Sequence, residues 1–164
     1  MKVLVDTDVV LDVLLDRQPW AEGSKRLWAE VERGGAQGFL AAHTLTTVHY
    51  LVRQSKGTRV ARDVAGLLLK VFRVAAVDEG VLKHAVQLEF TDFEDAVSSA
   101  AASGAGCDLI ATRNTKDFKR SPVVAVDPLT AAARVATAPG GVSEPRVPYG
   151  KLRRRRRPLT PLST

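Results

Sequence analysis

Short apolar runs alternate along the chain with segments in which apolar residues recur every three or four positions. The apolar runs predict buried strands at 2–5, 38–42, 74–77, 108–112 and 123–126. The periodic segments predict helices at 8–15, 20–31, 44–53, 59–72, 79–88, 92–102 and 128–135. Strands that alternate with helices predict an α/β fold, a three-layer α/β/α sandwich with a mostly parallel central sheet.

The helix that begins near residue 92 carries a recognisable start signal. Thr91, Asp92, Phe93 and Glu94 fit the capping-box pattern, in which Thr91 is the N-cap and the side chain of Glu94 reaches back to it. The helix is then predicted to continue through the alanine-rich stretch that follows.

The composition changes after residue 136, where proline, glycine and arginine replace the apolar pattern. The net charge of +6 also belongs to this end of the chain. Residues 1–145 hold 17 Lys and Arg against 18 Asp and Glu, and the remaining residues hold seven basic residues and no acid. We therefore expect a folded domain at 1–136 and a disordered basic tail at 137–164.

Several classes of protein are excluded or disfavoured. No apolar run approaches the length of a bilayer span, and Asp6 comes too early for a signal peptide. The single cysteine, Cys107, lies in an apolar stretch and is expected to be a small core residue in a protein of the reducing cytoplasm. The three histidines, His43, His49 and His84, have no metal-ligand spacing, which disfavours zinc.

Acidic residues are predicted to meet at one edge of the sheet. Asp6 ends the first strand, Asp95 lies in the first turn of its helix, and Asn114 and Asp117 follow the fourth strand. The carboxyl ends of parallel strands share an edge, where ligands bind at the point at which the strand order reverses. Carboxylates gathered there suit Mg²⁺ or Mn²⁺, which can activate water and neutralise phosphate charge.

Each acid also has a purely structural interpretation. Asp6 could cap the first helix, Asp95 could interact with a helix dipole, and Asp117 could belong to a surface turn. Asp92 either contacts the metal ligands without binding the metal itself or interacts with the helix dipole. Three further acids of the first helical segment are expected to be solvated: Asp8, Asp12 and Asp16.

Three segments resemble motifs of the PIN-domain nucleases, in the same order and with the same spacing, over residues 2–135. They are the opening VLVDTDVVLD at 3–12, the central DFEDAV at 92–97 and the final LIATRNTKDF at 109–118. The resemblance implies a PIN-like fold and metal-dependent cleavage of RNA. It implies Asp6 and Asp95 as metal ligands, with Asp117 and Asn114 completing the site. Many bacterial members of this size are toxins that an antitoxin protein holds inactive.

The chain departs from that family at two positions. Many members carry a glutamate where this chain has Thr47, and an aspartate where it has Asn114. A threonine hydroxyl can orient water or phosphate but adds no negative charge, so metal affinity should be weaker. A catalytically weak or inactive RNA-binding module of the same fold is therefore the alternative, and a phosphatase or DNA nuclease with the same site stays open.

Basic residues supply candidate RNA contacts. Arginines in a row can bind several phosphates in a salt-sensitive way that ignores sequence. The tail could equally be a solubilising extension or a docking site for an acidic partner, and apolar residues between 44 and 72 could support a homodimer. The candidate contacts are Arg113, Lys116, Arg153, Arg154, Arg155, Arg156 and Arg157.

Overall fold

The computed structural model describes residues 1–138, so all but the first two residues of the predicted tail, with its arginine run, lie outside the described residues. Helices and strands alternate along the described part, as the apolar pattern predicts. The elements are β1 (Lys2–Val5), α1 (Thr7–Leu15), α2 (Ala21–Glu32), β2 (Gln37–Ala41), α3 (Ala42–Lys56), α4 (Thr58–Val71), β3 (Arg73–Ala75), α5 (Glu79–Gln87), α6 (Phe93–Gly104), β4 (Leu109–Ala111), a 3₁₀ helix (Asp117–Arg120), β5 (Val124–Val126) and α7 (Pro128–Thr137).

The strands of residues 1–138 form one parallel sheet in the order β3-β2-β1-β4-β5. The chain first builds the sheet outward from β1 through β2 to β3, and then returns to add β4 and β5 on the other side of β1. The direction of winding therefore reverses between β1 and β4. In an open parallel sheet this is the point where ligands bind, beyond the carboxyl ends of the strands.

Helices cover both faces of the sheet, which confirms the predicted three layers. Successive residues of a strand point to opposite faces, and Val3 and Val5 accordingly join one apolar cluster while Leu4 joins another. The first cluster packs against α1, α2, α3, α4 and α7. The second packs against α6, with α5 outside it. Cys107 is buried in the second cluster, as predicted.

Within residues 1–138, none of the helices combines the length and the apolar character needed to cross a membrane.

Two expectations about acidic residues are wrong. The N-cap of α6 is Asp92 and not Thr91, because the Asp92 carboxylate accepts hydrogen bonds from the backbone N–H groups of Glu94 (2.8 Å) and Asp95 (3.4 Å). The side chain of Glu94 is therefore not used in a capping box. Asp12 is not a solvated helix position either, since it is fully buried.

Gly38, on β2, allows an aromatic pair to approach the sheet. A Cβ at this position would lie 2.6 Å from Cδ1 of Phe72 and 2.7 Å from Cγ1 of Val31, whereas carbon atoms pack at about 3.5–4.0 Å. Phe72 in turn packs edge to face on Trp28, with ring centroids 4.8 Å apart. The absence of a side chain at Gly38 is thus a packing requirement of the core.

We expect Gly38→Ala to lower the free energy of unfolding by about 1–3 kcal/mol, because the methyl group overpacks the Phe72 contact. Gly66→Ala is the matched control, since Gly66 lies inside α4 with nothing within 4 Å of an added Cβ. Alanine there should stabilise by about 0.5–1 kcal/mol through its helix propensity. Urea unfolding measures both changes, and equal effects at the two positions would contradict the packing argument.

Candidate active site

Asp6 lies directly after the central strand β1 and is held by donors from two other elements. One carboxylate oxygen accepts the backbone N–H of Thr7 at 2.7 Å, which makes Asp6 the N-cap of α1. The other accepts the hydroxyl of the buried Thr112, just beyond β4, at 2.8 Å. Burial raises the pKa of Asp6 to about 6 against these hydrogen bonds, and the negative charges of Asp8 and Glu94 raise it further.

Asp95 stands in the first turn of α6, half-buried, and faces the same charged region. Burial raises its pKa to about 7, and the negative charges of Asp6, Asp92, Asp117 and Glu94 add to the shift, in that order. Carboxylates from β1, α6 and the segment after β4 are therefore close enough to repel one another. This repulsion is the mark of a site with unneutralised negative charge.

Asn114 and Asp117 lie on the exposed rim of this region. The backbone N–H of Asn114 donates to the Thr112 hydroxyl at 3.1 Å, and its side-chain amide donates to the Asp117 carboxylate. Asp117 begins the 3₁₀ helix. The structure thus connects Asn114 to Asp117 and, through Thr112, to Asp6. Asp92, the N-cap of α6, holds the turn that carries Asp95.

Glu94 is a further acid of the site that the sequence motifs did not single out. Its carboxylate lies 3.5 Å from the Thr7 hydroxyl and 3.7 Å from Nε2 of His43, and its charge acts on both Asp6 and Asp95. The capping-box interpretation assigned this side chain to the helix end and so concealed it. The sequence signal for this role is that Glu94 directly precedes the candidate ligand Asp95.

Thr47 is partly buried on α3, but the α3 hydroxyl that contacts the region of Asp6 is that of Thr44. The Thr7 hydroxyl donates to Thr44 at 3.2 Å. His43, one residue before Thr44, has its Nε2 3.3 Å from the Ser98 hydroxyl, and burial lowers its pKa against the opposing charge of Glu94. A neutral imidazole therefore borders the acids on the α3 side.

Arg113, one of the candidate RNA contacts, forms an ion pair inside the fold. Its Nη1 lies 3.0 Å from the carboxylate of the fully buried Asp12, which also accepts the Ser24 hydroxyl at 3.3 Å. The guanidinium carbon is 3.9 Å from the centroid of the Trp20 ring. Only 23% of the Arg113 side chain is exposed. Lys116, by contrast, is exposed on the segment after β4.

The residues present fit a hard divalent cation. No group of three or more His, Cys, Asp and Glu side chains within residues 1–138 is arranged as a preformed metal cage. Mg²⁺, however, usually binds through one or two protein carboxylates and keeps several waters. Asp6 and Asp95 offer oxygen donors only, and burial together with the neighbouring negative charges raises the pKa of each, so a bound cation would stabilise their ionised forms. These two carboxylates would hold the cation, with Asp117 and Glu94 beside it.

Comparison with known proteins finds one matching protein family and solved structures with the same fold. A family model described as the PIN domain matches residues 2–116. Three solved structures illustrate the shared fold, each below 25% identity, and no curated protein matches the chain.

The VapC20 toxin of Mycobacterium tuberculosis, described as cleaving the sarcin–ricin loop, is 23% identical, with a TM-score of 0.60 over 74% of this chain and 96% of that one. A toxin–antitoxin complex from Klebsiella pneumoniae is 22% identical, with a TM-score of 0.60 over 77% of this chain and 97% of that one. The FitAcB structure from Neisseria gonorrhoeae is 22% identical, with a TM-score of 0.60 over 77% and 97%.

The raised pKa of Asp95, caused first by burial and then by the neighbouring negative charges, predicts that Asp95→Asn stabilises the protein when no metal is present. A group whose pKa is raised on folding destabilises the fold in its ionised form, so the penalty is present at pH 8, above the folded pKa of about 7. Because Asp95 is half-exposed, we expect a gain of only about 1 kcal/mol, or roughly 2–4 °C in Tm.

Thermal unfolding with a chelator measures this gain, and Asp63→Asn, at an exposed position of α4, is the control that should leave Tm unchanged. Adding Mn²⁺ should raise the Tm of the original protein more than that of Asp95→Asn, because the cation binds the folded state only. A lower Tm for Asp95→Asn in the chelator would contradict the repulsion.

The buried ion pair predicts a loss of stability for Asp12→Asn. The substitution removes the closer and buried one of two carboxylates beside the Arg113 guanidinium and leaves the exposed Asp8 at 4.0 Å. Breaking a buried ion pair costs about 3 kcal/mol or more. Glu79→Gln is the control, because Glu79 is exposed and its 2.5 Å ion pair with Lys83 lies on the surface of α5, where such pairs contribute about 0–1 kcal/mol. Urea unfolding that gives similar losses for both variants would refute the role assigned to Asp12.

Proposed function

The chain belongs to the PIN-domain family, and we propose that it is a metal-dependent endoribonuclease that hydrolyses phosphodiester bonds of RNA. The observation that carries the proposal is the placement of Asp6, directly after β1, and Asp95, in the first turn of α6, at the point where the strand order reverses, where the charge of Asp6 contributes to the raised pKa of Asp95. The known activity of a relative described as cleaving the sarcin–ricin loop is consistent with RNA as the substrate.

The proposed chemistry needs a bound Mg²⁺ or Mn²⁺, held by Asp6 and Asp95 with Asp117 at the rim. A divalent cation supplies neutralisation of the phosphate charge and a water of lowered pKa. The protein supplies orientation: the Thr112 hydroxyl and the Thr7 N–H fix the two oxygens of Asp6, and the Asn114 amide donates to the Asp117 carboxylate. The hydroxyl of Thr47 orients a water or a phosphate oxygen in this proposal.

We further propose that the protein is the cytoplasmic toxin of a toxin–antitoxin pair. The Klebsiella relative is a toxin–antitoxin complex, and this chain shares its fold. A small antitoxin would then cover the acids and block access of RNA. In the same proposal, the exposed Lys116 and the arginines at 153–157 attract the RNA backbone.

A cleavage assay tests the nuclease. We expect RNA cleavage with Mg²⁺ or Mn²⁺ that stops on chelation and falls by at least about 100-fold in Asp6→Asn and Asp95→Asn, which is about 2.7 kcal/mol of transition-state stabilisation. Asp63→Asn should cleave normally, because it removes the same charge from an exposed position of α4, a helix that carries none of the candidate site residues.

Two outcomes would contradict the proposal. Cleavage that survives both substitutions would refute the site. RNA binding without cleavage in either metal would instead support the alternative, a PIN-like RNA-binding module without catalysis, which the threonine at position 47 favours.

A further inference from the structure

A pocket of about 340 Å³ opens between the α1–α2 connection and the start of α7. Its walls are mainly apolar and include Pro19, Trp20, Pro128 and Leu129, with Arg26 at the α2 side. Trp20 and Leu129 are large apolar side chains, yet 46% and 51% of them are exposed. Exposed apolar side chains gathered in one concave site are a feature of ligand-binding sites.

The pocket lies on the same edge of the sheet as the candidate active site. Arg113 forms part of its wall and directly follows Thr112, whose hydroxyl donates to Asp6. Asp127, also in the wall, directly follows β5. Both residues follow the carboxyl ends of parallel strands, so the pocket lies at the same edge of the sheet as the acids, on the β4–β5 side.

Most charged groups of the wall are already used by the fold. The Asp127 carboxylate accepts the backbone N–H and the hydroxyl of Thr130, at 3.0 and 2.6 Å, as the N-cap of α7. Arg113 is bound to the buried Asp12 and stacks on Trp20. The wall also holds the exposed Glu22, whose carboxylate lies 3.6 Å from Nζ of Lys25. What the pocket offers a ligand is thus an aromatic plane, an apolar wall, the exposed guanidinium of Arg26 and the carboxylate of Glu22.

The Trp20 plane is also held in place before any ligand arrives. The Asp12 carboxylate fixes Arg113, and the guanidinium lies 3.9 Å from the centre of the indole. A surface ordered in advance loses little conformational entropy on binding, which favours affinity. Nucleobases stack on aromatic rings and guanidinium planes in this way.

We propose that this pocket binds one unpaired base of the RNA substrate, stacked on Trp20, with Arg26 contacting the adjoining phosphate. The proposal rests on the proposed nuclease function, since it places a base next to the phosphate that the acids receive. The volume is at the lower end of small-molecule sites, about 300–1,000 Å³, which suits a single base. A helix or strand of a partner protein needs an extended groove instead.

Tryptophan fluorescence tests this pocket without requiring cleavage. The chain has two tryptophans, and Trp28 is 4% exposed in the core, so Trp28→Phe leaves Trp20 as the only reporter. The full-length protein is titrated in chelator, at a salt concentration that suppresses phosphate binding. The probes are a mixed-sequence RNA hexamer and an abasic ribose-phosphate chain of equal length. We expect saturable quenching by the hexamer and none by the abasic chain.

Substitutions then locate the base. Trp20→Ala should weaken binding of the hexamer by about 5- to 100-fold, the range for loss of one base–aromatic stack, and Trp20→Phe should retain part of it. Binding by these variants is followed by anisotropy of a labelled hexamer. Leu129→Ala, on the opposite wall, should weaken binding while leaving the Arg113 contacts intact. Val86→Ala, at a 66% exposed position of α5, is the control.

The outcomes distinguish a failure of the base-pocket proposal from a failure of the proposed nuclease function. Equal binding of the abasic chain, or unchanged affinity in both Trp20→Ala and Leu129→Ala, would overturn the base pocket even if the protein cleaves RNA. Base-dependent quenching in a protein that cleaves no RNA would support the pocket and overturn only the nuclease. If the Trp20→Ala and Leu129→Ala variants bind RNA normally but no longer bind an antitoxin, the pocket is a protein-docking site and the proposal is wrong.

Discussion

The hydrogen bonds to Asp6 are the interaction on which the site depends. They join the central strand β1 to α1 through the Thr7 N–H and to the end of β4 through Thr112. They also keep a partly buried carboxylate in place although burial raises its pKa. That fixed charge is in turn the largest of the charges that raise the pKa of Asp95. Holding the two acids close together therefore lowers the stability of the fold, as functional sites often require.

The segment after β4 links three acids with three successive side chains. Thr112 donates to Asp6, Arg113 pairs with the buried Asp12, and Asn114 donates to Asp117. Successive side chains of an extended segment point in different directions, which lets one short segment connect the strand end, the interior and the rim. A change at any of the three positions should therefore move the other two, because they share one stretch of backbone.

The architecture was predictable because apolar periodicity reports burial directly. The runs around β1 and β4 contain buried residues on both faces of the sheet, as in a parallel sheet covered by two layers of helices. The shared edge then follows from strand direction, and it brings Asp6 near Asp95 without any knowledge of distances. The domain limits at residues 1–136 stay a prediction.

The errors concern polar residues whose partners are remote in sequence. Asp12 has the spacing of an exposed helix position, and only Arg113, about 100 residues later, explains its burial. Thr91 and Asp92 are both good N-caps, and local sequence does not decide between them. That choice mattered beyond the helix end, because capping by Asp92 releases the side chain of Glu94 toward Thr7 and His43.

The position of Glu94 changes the interpretation of the threonine at position 47. A glutamate on α3 would bring one negative charge to the acids from the α3 side, and Glu94 brings one from the first turn of α6, next to His43 of α3. Its field reaches both Asp6 and Asp95. Metal affinity depends on the charge and the oxygen ligands around the cation and not on the helix that supplies them. We infer that Thr47 does not by itself mark an inactive member of the family, because the negative charge has a second source.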